Sequence, residues 1–282
     1  MTELKGLFRP KTVEEATALL ADAPDAKIIA GGASLVAMIN ARLLEPKVLV
    51  SLGGIDELQG IGVVPGGGFR IGAMTRHRDV ASDRRLTGTL AVVSSAASVI
   101  ANETVRNMGT IGGAVAHADP GLDYPAALVV AGAQVEIASR AGRRRVPASE
   151  FFVDWYATAL EEGEMVSAVY LPPAVPGVGL YDKLARVAGD FAIVSVALTM
   201  SKADIGVATR VAIGACGPKP VLVEAANRLL SGNFREKEIG QAGDVLAAAA
   251  DPVDDVRGTA EYRRILIPRM LARAVAQARE RL

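Results

Sequence analysis

One cysteine, Cys216, and two histidines, His77 and His117, are the only thiol and imidazole groups in the sequence. A disulfide framework within the chain is therefore excluded. So is an iron–sulfur cluster, which takes four thiolates, and a structural zinc site lacks ligands as well. Any redox chemistry has to come from an organic cofactor. Long apolar runs are missing too. The nearest, Leu90–Ile100, is short and broken by Ser94, Ser95 and Ser98, whereas a membrane span needs about 18 uncharged apolar residues. The opening residues, Met1-Thr2-Glu3-Leu4-Lys5, show neither the apolar core nor the cleavage-like site of a secretory leader. There is no excess of one charge: Lys+Arg and Asp+Glu each number 31. A dedicated nucleic-acid binder needs a basic surface. The densest basic run, Arg143-Arg144-Arg145, reads as a solvated turn or strand edge. The expectation is a cytoplasmic protein whose 282 residues, half of them apolar, make about two domains.

Along the chain, Thr12 with Glu15 three residues on has capping-box spacing, and Val13, Ala16, Leu19 and Leu20 give the helix that follows an apolar face. Lys27–Ala30 and Val48–Leu52 read as strands, with a helix over Leu35–Leu43 between them. Ile61–Val64 and Phe69–Ile71 read as a hairpin turning at Pro65-Gly66-Gly67-Gly68. Helical patterns follow at Arg78–Ser82, Thr87–Ile100 and Tyr124–Ala131, with a glycine-punctuated loop over Asn107–Asp119. Gln134–Ala138, Arg143–Val146 and Val166–Leu171 read as strands, and Leu171–Gly179 as a linker. Beyond it, Leu180–Ala185, Ala192–Met200 and Gly206–Gly214 suggest an antiparallel meander. Helices are expected over Val221–Leu230, Glu236–Ala250 and Thr259–Leu282. Mixed elements without strict β-α-β alternation point to an α+β architecture.

Two segments carry the chemistry: Ala30-Gly31-Gly32-Ala33-Ser34 and Thr110-Ile111-Gly112-Gly113-Ala114. Paired glycines let the backbone turn its N–H groups into one concave surface that an anion can approach closely. The first segment also opens a helix, whose N-terminal donors favour phosphate. Neither contains a carboxylate, and Ser34 and Thr110 each add a hydroxyl. The Rossmann fingerprint Gly-x-Gly-x-x-Gly is missing, and so is a glycine-loop Gly-Lys-Ser/Thr.

These loops resemble those of the FAD-binding medium subunits of the molybdenum hydroxylases, the carbon monoxide dehydrogenase and xanthine dehydrogenase family. The second is the more specific, running from Val105-Arg106-Asn107-Met108-Gly109 through the loop to His117-Ala118-Asp119-Pro120 and Asp123. Phe8-Arg9-Pro10, Leu43 through Leu52, Ile71-Gly72-Ala73, Gly214-Ala215-Cys216-Gly217-Pro218 and Arg257-Gly258-Thr259-Ala260-Glu261-Tyr262-Arg263 extend the likeness over the chain.

The resemblance implies an α+β fold: a FAD-binding domain over 1–175, in two subdomains of about 1–57 and 58–175, then a smaller C-terminal domain over 176–282 with an antiparallel sheet and helices. It implies that the two loops, residues 30–34 and 110–114, wrap the FAD pyrophosphate and that Asp123 contacts the cofactor. It places Lys183 near the flavin, stabilising negative charge on the reduced ring, and Phe191 over the ring where relatives place a tyrosine. Ala33 and Ala114 replace polar residues common in the family, so only backbone contacts remain there. A large molybdopterin subunit would hydroxylate the substrate. A small subunit would carry two two-iron two-sulfur clusters, and the whole would be a dimer of heterotrimers. No catalytic residue for the organic reaction is expected in this chain. The competing readings are a stand-alone FAD-dependent oxidoreductase and a non-catalytic nucleotide-binding or assembly protein. Of the remaining residues, His77 is expected at the surface and His117 packed or solvated. Cys216 is expected as a small apolar residue, Trp155 in the core or an interface, and Asp119 as a cap of the Tyr124 helix or its preceding turn.

Overall fold

A computed structural model describes residues 6–282. The chain begins with β1 (Gly6–Phe8), α1 (Val13–Asp22), β2 (Ala26–Ile29), α2 (Leu35–Asn40) and β3 (Val48–Ser51). The three strands are parallel, in the order β1-β3-β2. The Thr12 hydroxyl accepts from the Glu15 N–H at 3.1 Å, and the Glu15 carboxylate accepts from the Lys11 N–H at 2.7 Å. The capping box therefore closes one residue further out than usual. The alternation of helix and strand over 13–51 is the expected one, and β1, too short to show a pattern in the sequence, adds a strand ahead of it. α2 also stops earlier than expected: Arg42 takes a left-handed φ of 56° and the Leu43 N–H turns back to Met38 O.

The middle of the chain holds a five-stranded antiparallel sheet in the order β4-β5-β10-β6-β7. β4 (Ile61–Val63) and β5 (Phe69–Gly72) form the expected hairpin, its turn closed by Val64 N–H on Gly68 O at 2.9 Å. Helices α3 (His77–Ser82), α4 (Ala91–Ser98), α5 (Glu103–Met108), α6 (Ile111–His117) and α7 (Tyr124–Val130) follow. The segment read as a glycine-punctuated loop thus contains a helix, α6, started by Thr110, whose hydroxyl accepts from the Gly113 N–H at 3.2 Å. β6 (Gln134–Ser139) pairs with β7 (Gly142–Pro147), and the short α8 (Ala148–Phe151) and the β8 (Phe152–Asp154)–β9 (Ala157–Thr158) hairpin lead to β10 (Met165–Leu171). The arginine run lies on the sheet-edge strand β7, as expected. Arg143 and Arg144 bind Glu57 and Glu164, and Arg145 stacks on Tyr170.

Residues 172–176 connect to the meander β11 (Gly177–Leu184), β12 (Val194–Lys202) and β13 (Val207–Gly214). Its two faces bury different partners. Tyr181, Ala197 and Ala212 join the core of the preceding sheet and helices. Leu180, Val196, Leu198 and Ile213 pack with α9 (Glu224–Leu229), α10 (Glu236–Ala249) and α11 (Ala260–Arg281). A strand buried on both faces loses the polar alternation of a half-exposed one. Small Ala197 and Ala212 let the wholly buried α7 sit close against the sheet. α9 begins later than expected because Val221 exchanges backbone hydrogen bonds with Ile213 and so extends the sheet. Among the described residues, no helix is long and apolar enough to cross a membrane.

Candidate functional site

After β2 the chain turns at Gly31-Gly32, with Gly32 at φ +77°, and enters α2. The N–H groups of Gly32, Ala33, Ser34 and Leu35 meet no acceptor among the described residues, and the Ser34 hydroxyl caps nothing. Four consecutive free donors and a hydroxyl form a concave anion cradle. The second loop is different. Its Ile111 and Gly112 N–H groups donate to Thr75 O and Ala73 O at 3.0 and 2.9 Å, and Gly113 donates to Thr110. Its amides from Ile111 to Ala114 are therefore spent within the protein, whereas those of the first loop are free.

The two loops touch. A methyl group on Gly31 would fall 2.0 Å from Met108 O and 2.9 Å from the Gly109 Cα, so only glycine permits this approach. Gly113 faces Ala30 across the same junction. The second loop thus acts as a wall holding the first loop's cradle open.

The junction lies in a cleft of about 370 Å³, within the range of ligand pockets. On one side its walls are Ile28, Leu52, Leu160, Met165 and Val166; elsewhere they include Ile100, Ala101, Leu122, Gly189 and Phe191. Of the expected site residues, Ala30, Gly31, Gly32, Ala33, Ser34, Thr110, Gly112, Gly113, Ala114, Asp123 and Phe191 all line it. Ile111 does not: it is fully buried behind the loop.

Lys183 does not line the cleft either. Its ammonium lies 3.0 Å from Asp123 Oδ1 and donates to Val99 O at 2.9 Å, so its charge is already matched. It faces a neighbouring groove with Asn102 and Arg106. Asp123, 5% exposed, also accepts from the Tyr181 hydroxyl at 2.7 Å. Burial still raises its pKa, outweighing the stabilising Lys183 charge and Tyr181 hydrogen bond. Asp123 alone of the pair faces the cleft, its carboxylate held in place by Lys183 and Tyr181. Of the other two carboxylates on the cleft, Glu164 is bound by Arg144 at 2.7 Å and Asp190 lies 3.6 Å from Arg257.

Phe191 is 38% exposed and stands at the mouth, with Gly121 against one edge. The Arg257 guanidinium lies 4.9 Å from its ring centroid and 3.6 Å from Asp190. A bulkier residue at 121 would displace the ring.

His77 corrects another expectation. It is 4% exposed, lines the cleft, and has its pKa lowered to about 4 by burial and by Arg106. Nothing near it in the sequence signals this, because its ring partner Tyr124 lies on another helix. Cys216 is buried and apolar in behaviour, its thiol pushed up to about 12 by burial. Asp119 caps the turn before α7 through the Gly121 N–H at 2.8 Å. His117 is half-buried against Tyr156. Trp155 lies outside the core, 40% exposed. Among the described residues, no cluster of three His, Cys, Asp or Glu side chains could hold a metal.

The donor set therefore fits a dinucleotide: free amides for a pyrophosphate, apolar side chains along the walls for rings, and no carboxylate in the loops to repel it. Residues 2–174 match the family described as "FAD binding domain in molybdopterin dehydrogenase", and residues 179–278 match "CO dehydrogenase flavoprotein C-terminal domain". The chain is 38% identical to the carbon monoxide dehydrogenase medium chain of Hydrogenophaga pseudoflava, over 95% of each chain. It is 33% identical to the nicotine 6-hydroxylase medium subunit of Paenarthrobacter nicotinovorans, again over 95% of each. Among solved structures it superposes on carbon monoxide dehydrogenase from Hydrogenophaga pseudoflava lacking the Mo-pyranopterin moiety. The TM-score is 0.94 at 37% identity, over 100% of this chain and 99% of that one.

Proposed function

Because the chain belongs to the family of FAD-binding medium subunits of molybdenum hydroxylases, we propose that it carries electrons between partners. It takes them from the iron–sulfur clusters of a small subunit and passes them to an external acceptor. The chain is an oxidoreductase subunit and its cofactor is FAD. Hydroxylation of the organic substrate falls to a large molybdopterin subunit, and the three chains assemble as a dimer of heterotrimers. The FAD-binding domain spans 1–175, in two subdomains dividing near residue 57, and the C-terminal domain spans 176–282.

When bound, FAD supplies a ring that accepts and releases electrons singly or in pairs. This chain's residues do the rest. The Gly32–Leu35 amides and the Ser34 hydroxyl bind the pyrophosphate, with residues 110–114 as the opposing wall. Asp123, held by Lys183 and Tyr181, offers a fixed hydrogen-bonding edge to the cofactor. Lys183 acts on the ring through that carboxylate. Phe191 closes the mouth against water, braced by Arg257.

One observation carries this reading: a run of free amides lining an apolar cleft whose carboxylates are each already paired. The test is an absorbance spectrum of the chain purified from its native host, with metal analysis of what co-elutes. Flavin bands with iron and molybdenum in a smaller and a larger chain are expected. Flavin alone would overturn the complex, and no flavin after FAD is added would overturn the cofactor assignment.

A further inference from the structure

His77 opens α3, and its own N–H donates to Gly109 O at 3.1 Å, which ties it to the second loop. Its ring Nδ1 lies 3.3 Å from the Tyr124 hydroxyl. Tyr124 is fully buried, and burial raises its pKa well above the ordinary value, so the phenol keeps its proton. A protonated buried phenol needs an acceptor, and Nδ1 is the one it meets among the described residues. That hydrogen bond fixes the tautomer of the neutral imidazole and puts its proton on Nε2.

Nε2 itself meets no partner among the described residues, yet the ring lines the cleft. It rests on the open face of Gly109, where a methyl group would fall 2.5 Å away. Gly109 in turn abuts Gly31, the residue before the run of free amides. The charged groups around the ring do not satisfy it. Arg106 on α5 is a donor committed to Ile100 O and Ala101 O, and Asp123 is committed to Lys183 and Tyr181. The ring lines the cleft beside the anion cradle, and an Nε2–H with no protein acceptor can give its hydrogen bond to a ligand oxygen there.

Resting on the FAD reading, we propose that His77 donates its Nε2–H to a pyrophosphate oxygen of the dinucleotide, and that Tyr124 is the positioning residue that keeps the proton on that nitrogen. The imidazole then completes the first loop's cradle from the side of the second loop, as a neutral donor. Only a glycine at 109 leaves it the space.

The test uses the full chain, stripped of flavin and titrated with FAD, as wild type, His77→Phe and His77→Gln. Phenylalanine keeps a flat ring without the donor, whereas glutamine carries an amide N–H near the position of Nε2. The expected result is roughly 10-fold or greater weakening in the phenylalanine variant, with most of the affinity regained by glutamine. The phosphorus resonances of bound FAD should move in His77→Phe while its visible bands stay in place. An unchanged dissociation constant and unchanged phosphorus shifts in His77→Phe would overturn the proposal. Equal weakening in both variants, each with a native circular-dichroism spectrum, would overturn it in favour of a packing role. Moved visible bands with unmoved phosphorus signals would overturn the phosphate assignment. A wild type that holds no FAD would overturn the FAD reading as well, which separates the two failures.

Discussion

Replacing Gly31 with alanine adds one methyl group, and the structure gives its effect a size. The new carbon would lie 2.0 Å from Met108 O and 2.7 Å from the Met108 carbonyl carbon, while ordinary contacts begin at 3.4 Å. The second loop must therefore retreat by about 1.4 Å. Backbone on both sides cannot give way as a side-chain tip could, and overpacking of this kind typically costs about 1–3 kcal/mol. Because the displaced atoms form the wall of the amide cradle, the cost should fall on cofactor affinity as well as on folding. At about 1.4 kcal/mol per decade, FAD binding should weaken roughly 10-fold to 100-fold. Titration of the flavin-free chain by flavin fluorescence quenching reads this directly. The matched control is Gly240→Ala in α10, where an added methyl group meets nothing within 4 Å. That change should stabilise by about 0.5–1 kcal/mol, through helix propensity, and leave FAD affinity unchanged. If Gly31→Ala binds FAD as wild type does and melts at the same temperature, the loops do not meet as described and the buttress argument fails.

Gly113→Asp sets a carboxylate at the cleft beside the cradle, with its Cβ 3.0 Å from Thr110 Oγ1; the flavin-to-protein absorbance ratio should fall to near zero while circular dichroism stays native. Lys183→Met leaves the Asp123 carboxylate buried without its cation, a loss of about 3–5 kcal/mol when it is ionised. A carboxylate whose pKa burial raises contributes stability that is lost as pH rises, so the variant's deficit in urea melts should be larger at pH 8 than at pH 5. His77 has its folded-state pKa lowered from 6.5 to about 4, so the unfolded chain takes up a proton first as the solution is acidified. Its contribution is whole above pH 6.5 and lost as pH falls towards 4, about 3 kcal/mol in all; flavin-free His77→Phe should show a correspondingly flatter acid limb in urea melts.

Much of this was legible in the sequence because the responsible forces are local. Thr12 and Glu15 announce α1, the Pro65–Gly68 turn announces its hairpin, and the paired glycines of both loops announce the cleft. What stayed hidden depends on contacts between distant segments. No pattern around Gly31 says that Met108 will press against it. Thr110 looked like part of a loop because α6 is only seven residues long and begins with glycines, which lower helix propensity; tertiary packing on Ala73 overrides that preference. His77 sits among Arg76, Arg78 and Asp79, which suggests a solvated turn, and only the approach of α7 buries it. The pairing of Lys183 with Asp123 spans 60 residues, so no local pattern shows that its charge is already matched.

The unequal use of the two glycine pairs has a consequence for how substitutions act. Amides of the first loop are free because their neighbours turn away from them: Gly32 is held at a positive φ, and α2 buries no residue that would draw the loop inward. Such a loop has little of its own to hold it in shape. The second loop has the opposite character, with Ile111 and Gly112 N–H groups pinned to the turn that follows β5 through Thr75 O and Ala73 O. Rigidity is therefore lent by one loop to the other across the Gly31–Met108 contact. A substitution that loosens the second loop, such as Thr110→Val, removes the hydroxyl capping Gly113 and costs about 1 kcal/mol of local stability. Its larger effect should be on anion binding at residues it does not touch, because a cradle whose wall moves must be ordered again by each ligand. Pyrophosphate alone should then lose affinity in Thr110→Val in the same proportion as FAD. A loss confined to FAD, with pyrophosphate binding intact, would locate the hydroxyl at another part of the cofactor and refute the division of labour between the loops.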